Sequence, residues 1–387
     1  MESNMKNKII VAQIMGKWLG GGVESVVMNY YRNIDRNKIQ FDFICDSDST
    51  NIPYKEIEKL GGKVILVPPY QKIIEYNKEL KKIFLKNNYK IVHSHITTLN
   101  VFPLRIAKKC GVPIRIAHSH STTNKKEWKK NIIKQLLRPF SRVYANNYMC
   151  CSELAGRWLF GNKCYDSGKV YLLNNAIDLE KFTYNEKIKN EKRKELGIDE
   201  DTIVIGHIGR FTQAKNHVFL IDIFNEIHKQ KKNSILLLVG QGALENKIRT
   251  KIERLGLKDK VIFLGQRTDV NELYQAMDIF VLPSLYEGLP VVAMEAQTAG
   301  LLTIMSTEIT TEAKIINSTV FLSLNKSEKE WALEILKLNE GFKRKNTEEE
   351  ISSKDFNIIN EGKKLEKKYI TYMEKIRIWH IIKYNII

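Results

Sequence analysis

The chain has 387 residues, 43% of them hydrophobic and 27% charged, with a formal net charge of +18. That length exceeds one ordinary core and suits two globular domains; no apolar run reaches the ~18–20 residues of a membrane-spanning helix. The polar N-terminus MESNMKNKIIVAQIMG is unlike a secretory signal, so a cytoplasmic protein is expected. Five cysteines with no C-x-x-C pair argue against a disulfide framework and a zinc site, and the positive charge favours polyanionic or phosphorylated partners.

Residues 8–14 form a short apolar run of strand length. The glycines Gly20, Gly21 and Gly22 follow, then Val23, Val26, Val27 and Tyr30 at helical spacing. Further strand-like runs fall at 41–44, 63–67, 91–93 and 114–117. Residues 124–144, NKKEWKKNIIKQLLRPFSRVY, carry seven lysines and arginines and one acid. Trp128, Ile132, Ile133, Leu136, Leu137 and Phe140 recur there at helical spacing. This predicts an amphipathic helix whose stripe packs on the domain core or lies on an anionic membrane.

A strand ends near Leu173, the charged stretch 181–194 follows, and the domain boundary is expected near Asn175. The rhythm restarts at 203–208, 235–239, 261–263, 279–282 and 301–305, with a helix marked by Leu220, Phe224 and Ile227. Residues 356–387 read as a basic helix. Strands alternating with helices predict an α/β fold of two Rossmann-like, doubly wound parallel-sheet domains, 1–175 and 176–355, with the last helix packing back on the first. In such sheets ligands bind beyond the carboxyl ends of the strands, so the loops there, facing a cleft between the domains, are the places to search.

Three loops carry candidate chemistry. The glycine turn at Gly20–Gly22 lets backbone N–H groups approach a phosphate or sugar, although the dinucleotide spacing G-x-G-x-x-G is absent. In GHIGRFTQAKN, Gly209 breaks a strand. Arg210 and Lys215 then stand before a helix that Asn216 can cap, a pair of cations suited to a diphosphate. In PSLYEGLPVVAMEAQTAG, Glu287 sits on a loop and Glu295 inside an apolar helix opened by Pro290 and closed by Gly300. A buried carboxylate needs hydrogen-bond donors, and a vicinal diol supplies two. The plainer alternatives are a tight turn, surface cations and a helix-start acid. His118 and His120, two apart on a strand, point to one face, as do His93 and His95, which could touch an acceptor.

The spacing of Glu287 and Glu295, in that context, resembles the donor-site signature of retaining GT-B glycosyltransferases, more narrowly the family-4 enzymes of capsular and exopolysaccharide synthesis. GGVESVVMNYY, IVHSHITTLN, IRIAHSHSTT, LNNAIDLEKF, IGRFTQAKN, LLLVGQGALENKI and VIFLGQRTDVNELYQAMDIFVLPS extend the resemblance over roughly residues 8–313. It implies a hexosyltransferase that moves a hexose or N-acetylhexosamine from a nucleotide diphosphate sugar, UDP-linked for preference, to a saccharide or lipid-linked saccharide at the inner face of the cell membrane. It implies no cofactor, no metal and no nucleic acid. Arg210 and Lys215 would bind the diphosphate, and Glu295 the ribose. Glu287, Gly288, Leu289 and Pro290 would line the sugar pocket; Gly265, Gln266 and Arg267 the nucleobase; Gly21, Gly22 and Gly209 the donor. His118 or His120 would lie by the anomeric carbon. The sequence departs from the family at Ala176, at Gln241 and after Ala313, where a glycine-rich turn is usual. Two other readings share the architecture: an inactive sugar-nucleotide-binding scaffold and a non-hydrolysing sugar-nucleotide epimerase.

Overall fold

The computed structural model describes residues 8–122 and 128–385. The N-terminal residues 1–7 and residues 124–127 of the amphipathic segment lie outside the described residues. The chain divides into two compact units, Met1–Ala176 with Ile358–Ile387, and Ile177–Asn357.

The N-terminal unit is built on β1 (Ile9–Gly16), β2 (Ile39–Asp46), β3 (Lys63–Val67), β4 (Ile91–Ser94), β5 (Ile114–Ser119), β6 (Asn147–Cys150) and β7 (Val170–Leu172). They lie in the order β3-β2-β1-β4-β5-β6-β7, every pair parallel. A parallel sheet is covered on both faces, which is why β2 is buried along its whole length, Gln40, Asp42 and Asp46 included. The helix Gly22–Asn33 buries Val26, Val27, Met28, Tyr30 and Tyr31. The C-terminal helix Ile358–Asn385 packs against it. At Gly362 a Cβ would stand 3.2 Å from the Asn33 carbonyl oxygen, so glycine permits the close approach.

The basic amphipathic segment forms the helix Trp128–Leu137, a 3₁₀ turn Arg138–Phe140 and a short helix Ser141–Tyr144. Pro139 interrupts the single helix expected from the periodicity, since it has no N–H to continue the ladder. Ile132, Ile133 and Leu136 are 53%, 56% and 67% exposed, so these members of the apolar stripe are not packed into the unit's core.

The C-terminal unit carries β8 (Ile203–Ile208), β9 (Ser234–Val239), β10 (Val261–Gly265), β11 (Ile279–Leu282), β12 (Leu302–Ser306) and β13 (Thr319–Leu322). The order is β10-β9-β8-β11-β12-β13, again parallel throughout. Residues beyond Ala313, which lack the expected glycine turn, are held by Gln297. Its Oε1 accepts from Ile315 N (2.7 Å), Ile316 N (3.1 Å) and Thr319 Oγ1 (2.8 Å). Each sheet reverses its strand order once, between β1 and β4 and between β8 and β11. Those reversals open the crevices where doubly wound sheets bind ligands.

Six histidines are buried within the two units. Burial pushes His93, His120 and His207 down to about 3, His217 to about 2, and His95 and His118 well below the usual imidazole range. In the unfolded chain each would take up a proton near pH 6.5. Their contribution is therefore complete above that pH and lost as pH falls, by at most ~1.4 kcal/mol per pH unit for each histidine. Three buried carboxyls oppose this: burial pushes Glu295 up to about 7, Asp46 up to about 6 and Asp42 upward, so they favour the folded state as pH falls. With six groups against three, the melting temperature followed by circular dichroism is expected to drop between pH 7 and pH 5. A flat or rising curve would mean that the imidazoles are not held neutral.

Candidate active site

The loops that leave β8 and β11 meet at the strand-order reversal of the C-terminal unit. Leu285 N–H donates to the Ala214 carbonyl at 2.8 Å, and Asn216 Nδ2 donates to the Pro283 carbonyl at 3.1 Å. Asn216 does not cap the following helix with its side chain, as its sequence position had implied. It sits at φ +55° and uses its amide to tie the two loops together. Lys215 lies across Gly209, where a Cβ would stand 3.0 Å from Lys215 Cε. The glycine thus gives the lysine its path.

Lys215 Nζ pairs with Glu287 Oε1 at 2.6 Å, and the two side chains are only 17% and 15% exposed. Ser284 Oγ donates to the same Glu287 oxygen at 2.9 Å. Arg210 is exposed and has no ion-pair partner among the described residues. Two sequence-predicted groups are therefore in direct contact, with a free guanidinium on the same loop as the lysine. Gly288 and the buried Leu289 and Pro290 continue from Glu287 into the helix Val291–Thr298, with Pro290 as its N-cap and Gly300 at φ +69° just past its end.

Glu295 sits in that helix. The residue keeps some exposed surface, but its carboxyl lies in a dense surround, and burial pushes it up to about 7. The hydroxyl of the fully buried Tyr274 stands 2.9 Å from Glu295 Oε2 and 2.9 Å from the Val292 carbonyl. A phenol has one proton and can also accept, so it serves both forms of the acid. It donates to the carboxylate, or it accepts from the carboxylic acid and donates to Val292.

Arg344 fixes this pair from behind. Its guanidinium donates to the carbonyls of Tyr274 (2.9 Å), Gln275 (2.9 Å), Met277 (3.1 Å) and Ala299 (2.5 Å). It thereby joins the carboxyl ends of the helices that carry Tyr274 and Glu295, where a cation also meets the helix dipoles favourably.

Gly265 ends β10 in a left-handed turn and Gln266 beside it is exposed. Arg267 is committed elsewhere: Nε and Nη2 grip Asp269 at 2.7 and 2.5 Å, and Nη2 reaches Glu195 at 3.4 Å. That bidentate pair leaves the guanidinium little to offer a nucleobase.

In the N-terminal unit the glycine turn is closed from within, because Glu24 Oε1 accepts from Leu19 N at 3.0 Å beside Gly21 and Gly22. The four histidines at the carboxyl ends of β4 and β5 form one cluster. His93 Nε2 is 3.1 Å from His118 Nδ1, and His95 Nδ1 is 2.9 Å from His120 Nε2. His118 lies within β5 and is fully buried; His120, one residue beyond the strand, is 8% exposed.

Residues 188–354 match the family model of glycosyl transferases group 1, and residues 20–181 match that of glycosyltransferase family 4. The chain is 35% identical over 338 residues to EpsF of Bacillus subtilis (strain 168), covering 86% of this chain and 87% of that protein. It belongs to the group 1, family 4 glycosyltransferases. A further relative, 25% identical over 78% of this chain and 80% of its own length, is the UDP-Gal:alpha-D-GlcNAc-diphosphoundecaprenol alpha-1,3-galactosyltransferase of Escherichia coli. The Anabaena protein HepE, solved in complex with UDP, superposes with a TM-score of 0.73 at 16% identity, over 94% of this chain and 100% of that one, which shares the GT-B fold.

In this glycosyltransferase, sequence reading missed the residues that support the site from a distance. Tyr274 and Arg344 carry no local motif. Gln13 and Tyr369, which touch the histidine cluster, are the other omissions. Of these only Gln13 left a signal, as a polar residue inside the apolar run of β1.

Proposed function

We propose that the chain is a retaining, metal-independent hexosyltransferase. It would move a hexose or N-acetylhexosamine from a UDP-sugar to a saccharide or lipid-linked saccharide in surface polysaccharide synthesis. The observation that carries this reading is the Lys215–Glu287 pair at the β8–β11 crevice, with Arg210 beside it on the lysine's loop. An arriving diphosphate takes Lys215 from Glu287 and adds Arg210, which places two cations against the leaving group. Charge that develops on the departing nucleoside diphosphate is then stabilised by the protein itself. Glu287, released from the lysine, accepts from hydroxyls of the transferred sugar. Glu295, ionised, accepts from the ribose diol. HepE's complex with UDP and the nucleotide and lipid-linked substrates named for the Escherichia coli relative support this choice of donor and acceptor. In the N-terminal unit His120 is better suited than His118 to touch a saccharide, since it lies past the strand end.

A second reading concerns location. The exposed Ile132, Ile133, Leu136, Phe140 and Val143, interleaved with Lys134, Arg138 and Arg142, support peripheral contact with an anionic membrane. Among the described residues no helix is long and apolar enough to cross one.

Transfer from UDP-sugars to an undecaprenyl-diphosphate-linked sugar, followed by mass spectrometry and NMR, tests the first reading. Turnover is expected to survive EDTA and to keep the anomeric configuration of the donor. Arg210→Ala and Lys215→Ala are each expected to lower the rate by ~10²–10³, the scale for one preorganised electrostatic contact. An inverted product, or near-normal turnover in both variants, would overturn it. Vesicle flotation tests the second: the protein should float with phosphatidylglycerol vesicles but not with phosphatidylcholine, and Ile133→Asp with Leu136→Asp should abolish flotation. Equal flotation of that double variant would contradict membrane contact through this face.

A further inference from the structure

The four histidines belong to one hydrogen-bonded chain that runs through Gln13 and Tyr369, and a single amide gives that chain a direction. Gln13 Oε1 can only accept. His95 Nε2, 2.8 Å away, must therefore carry a proton. A neutral imidazole has one N–H, so His95 Nδ1 is bare and accepts a hydrogen bond from His120 Nε2–H at 2.9 Å. His120 is then left with a bare Nδ1, which makes no hydrogen bond among the described residues. On the other arm Gln13 Nε2 donates to the Tyr369 hydroxyl oxygen at 3.3 Å. Tyr369 Oη–H donates a hydrogen bond to His93 Nδ1 at 2.7 Å, and His93 Nε2–H donates to His118 Nδ1 at 3.1 Å. The chain ends at His118 Nε2, which is buried without a partner.

All six groups are buried: Gln13 is 1% exposed, Tyr369 0%, and none of the histidines more than 8%. Burial keeps the rings uncharged at neutral pH, which the one-proton count requires. The position of Gln13 is also telling. It lies on β1, next to β4, at the strand-order reversal of the N-terminal sheet.

We propose that Gln13, acting through His95, is a positioning residue that locks His120 in the Nε2–H form, so that a bare Nδ1 beyond the end of β5 accepts a hydrogen bond from a saccharide hydroxyl. The proposal rests on the reading that the protein binds saccharides. It adds the polarity of the contact and the residues that set it. A ring locked in this form orients an incoming hydroxyl with its proton toward the protein and its lone pairs outward. The opposite tautomer would turn the hydroxyl around. His93, His118 and Tyr369 sit on the far arm and do not fix the state of His120.

Two measurements on the full chain test this. The first is two-bond ¹H–¹⁵N NMR on protein labelled with ¹⁵N-histidine, which reads each ring's tautomer without any substrate. His93, His95, His118 and His120 are expected as neutral Nε2–H forms. Gln13→Leu should leave His120 a mixture of tautomers, Gln13→Glu, which still accepts from His95, should restore the Nε2–H form, and Tyr369→Phe should leave His120 unchanged. The second is steady-state transfer. Gln13→Leu should lower kcat about tenfold or more, the scale for losing an outer partner that orients a functional imidazole, with donor KM little changed. Gln13→Glu should recover most of that loss. An Nδ1–H tautomer at His120 in the unaltered protein, or a Gln13→Leu variant with the His120 tautomer and kcat both intact, would overturn the proposal. If the unaltered protein transferred no sugar, the glycosyltransferase reading would fail, while the NMR measurement would still decide the polarity.

Discussion

A carboxyl group set into an apolar helix is the constraint around which the C-terminal unit is arranged. Glu295 has buried neighbours on both sides, and burial pushes its carboxyl upward. The Tyr274 hydroxyl opposes that push by donating to the carboxylate. Tyr274 in turn depends on Arg344, which binds the carbonyls closing two helices and stacks on Tyr184, its charge centre 4.3 Å from the ring. A charged guanidinium is itself costly to bury, and four carbonyl partners offset that cost. Three residues far apart in the sequence thus hold one carboxyl group in place.

The same logic operates at the loop before the helix. Lys215 and Glu287 neutralise each other, so neither charge is left buried and unpaired. An anion that competes for the lysine must also free the glutamate. One binding event would then prepare two contacts, one to phosphate and one to sugar. The N-terminal unit solves a different problem in a comparable place. There, uncharged imidazoles satisfy one another, and an amide decides which way the protons point.

Much of the fold was legible because parallel strands covered on both faces must be apolar runs, and β3, β8 and β11 coincide with the runs read from sequence. The short β6 and β13 were not legible as strands. Asn147–Cys150 has no β-branched residue, and Thr319–Leu322 follows a segment where a glycine turn was expected instead. Glu287 and Lys215 could be read because each follows a strand at a reversal of strand order. The sequence left His118 and His120 equivalent; the end of β5 separates them. Arg267 looked available until Asp269 was seen to hold it. Tyr369 lies 276 residues from His93, so their contact has no local signature, and only the returning C-terminal helix brings them together.

Calorimetric titration of UDP into the protein and into Glu295→Gln, at pH 6 and pH 8, bears most directly on Glu295 as the ligand of the ribose diol. The free carboxyl is pushed up to about 7 and must be ionised to accept from two hydroxyls. Affinity should therefore be about tenfold weaker at pH 6 than at pH 8 through this group alone. Glu295→Gln should bind UDP more weakly by ~1.5–3 kcal/mol at pH 8 and lose that part of the pH dependence. Equal affinities of the two proteins, with the same change between pH 6 and pH 8, would contradict a role for Glu295 in holding the nucleotide.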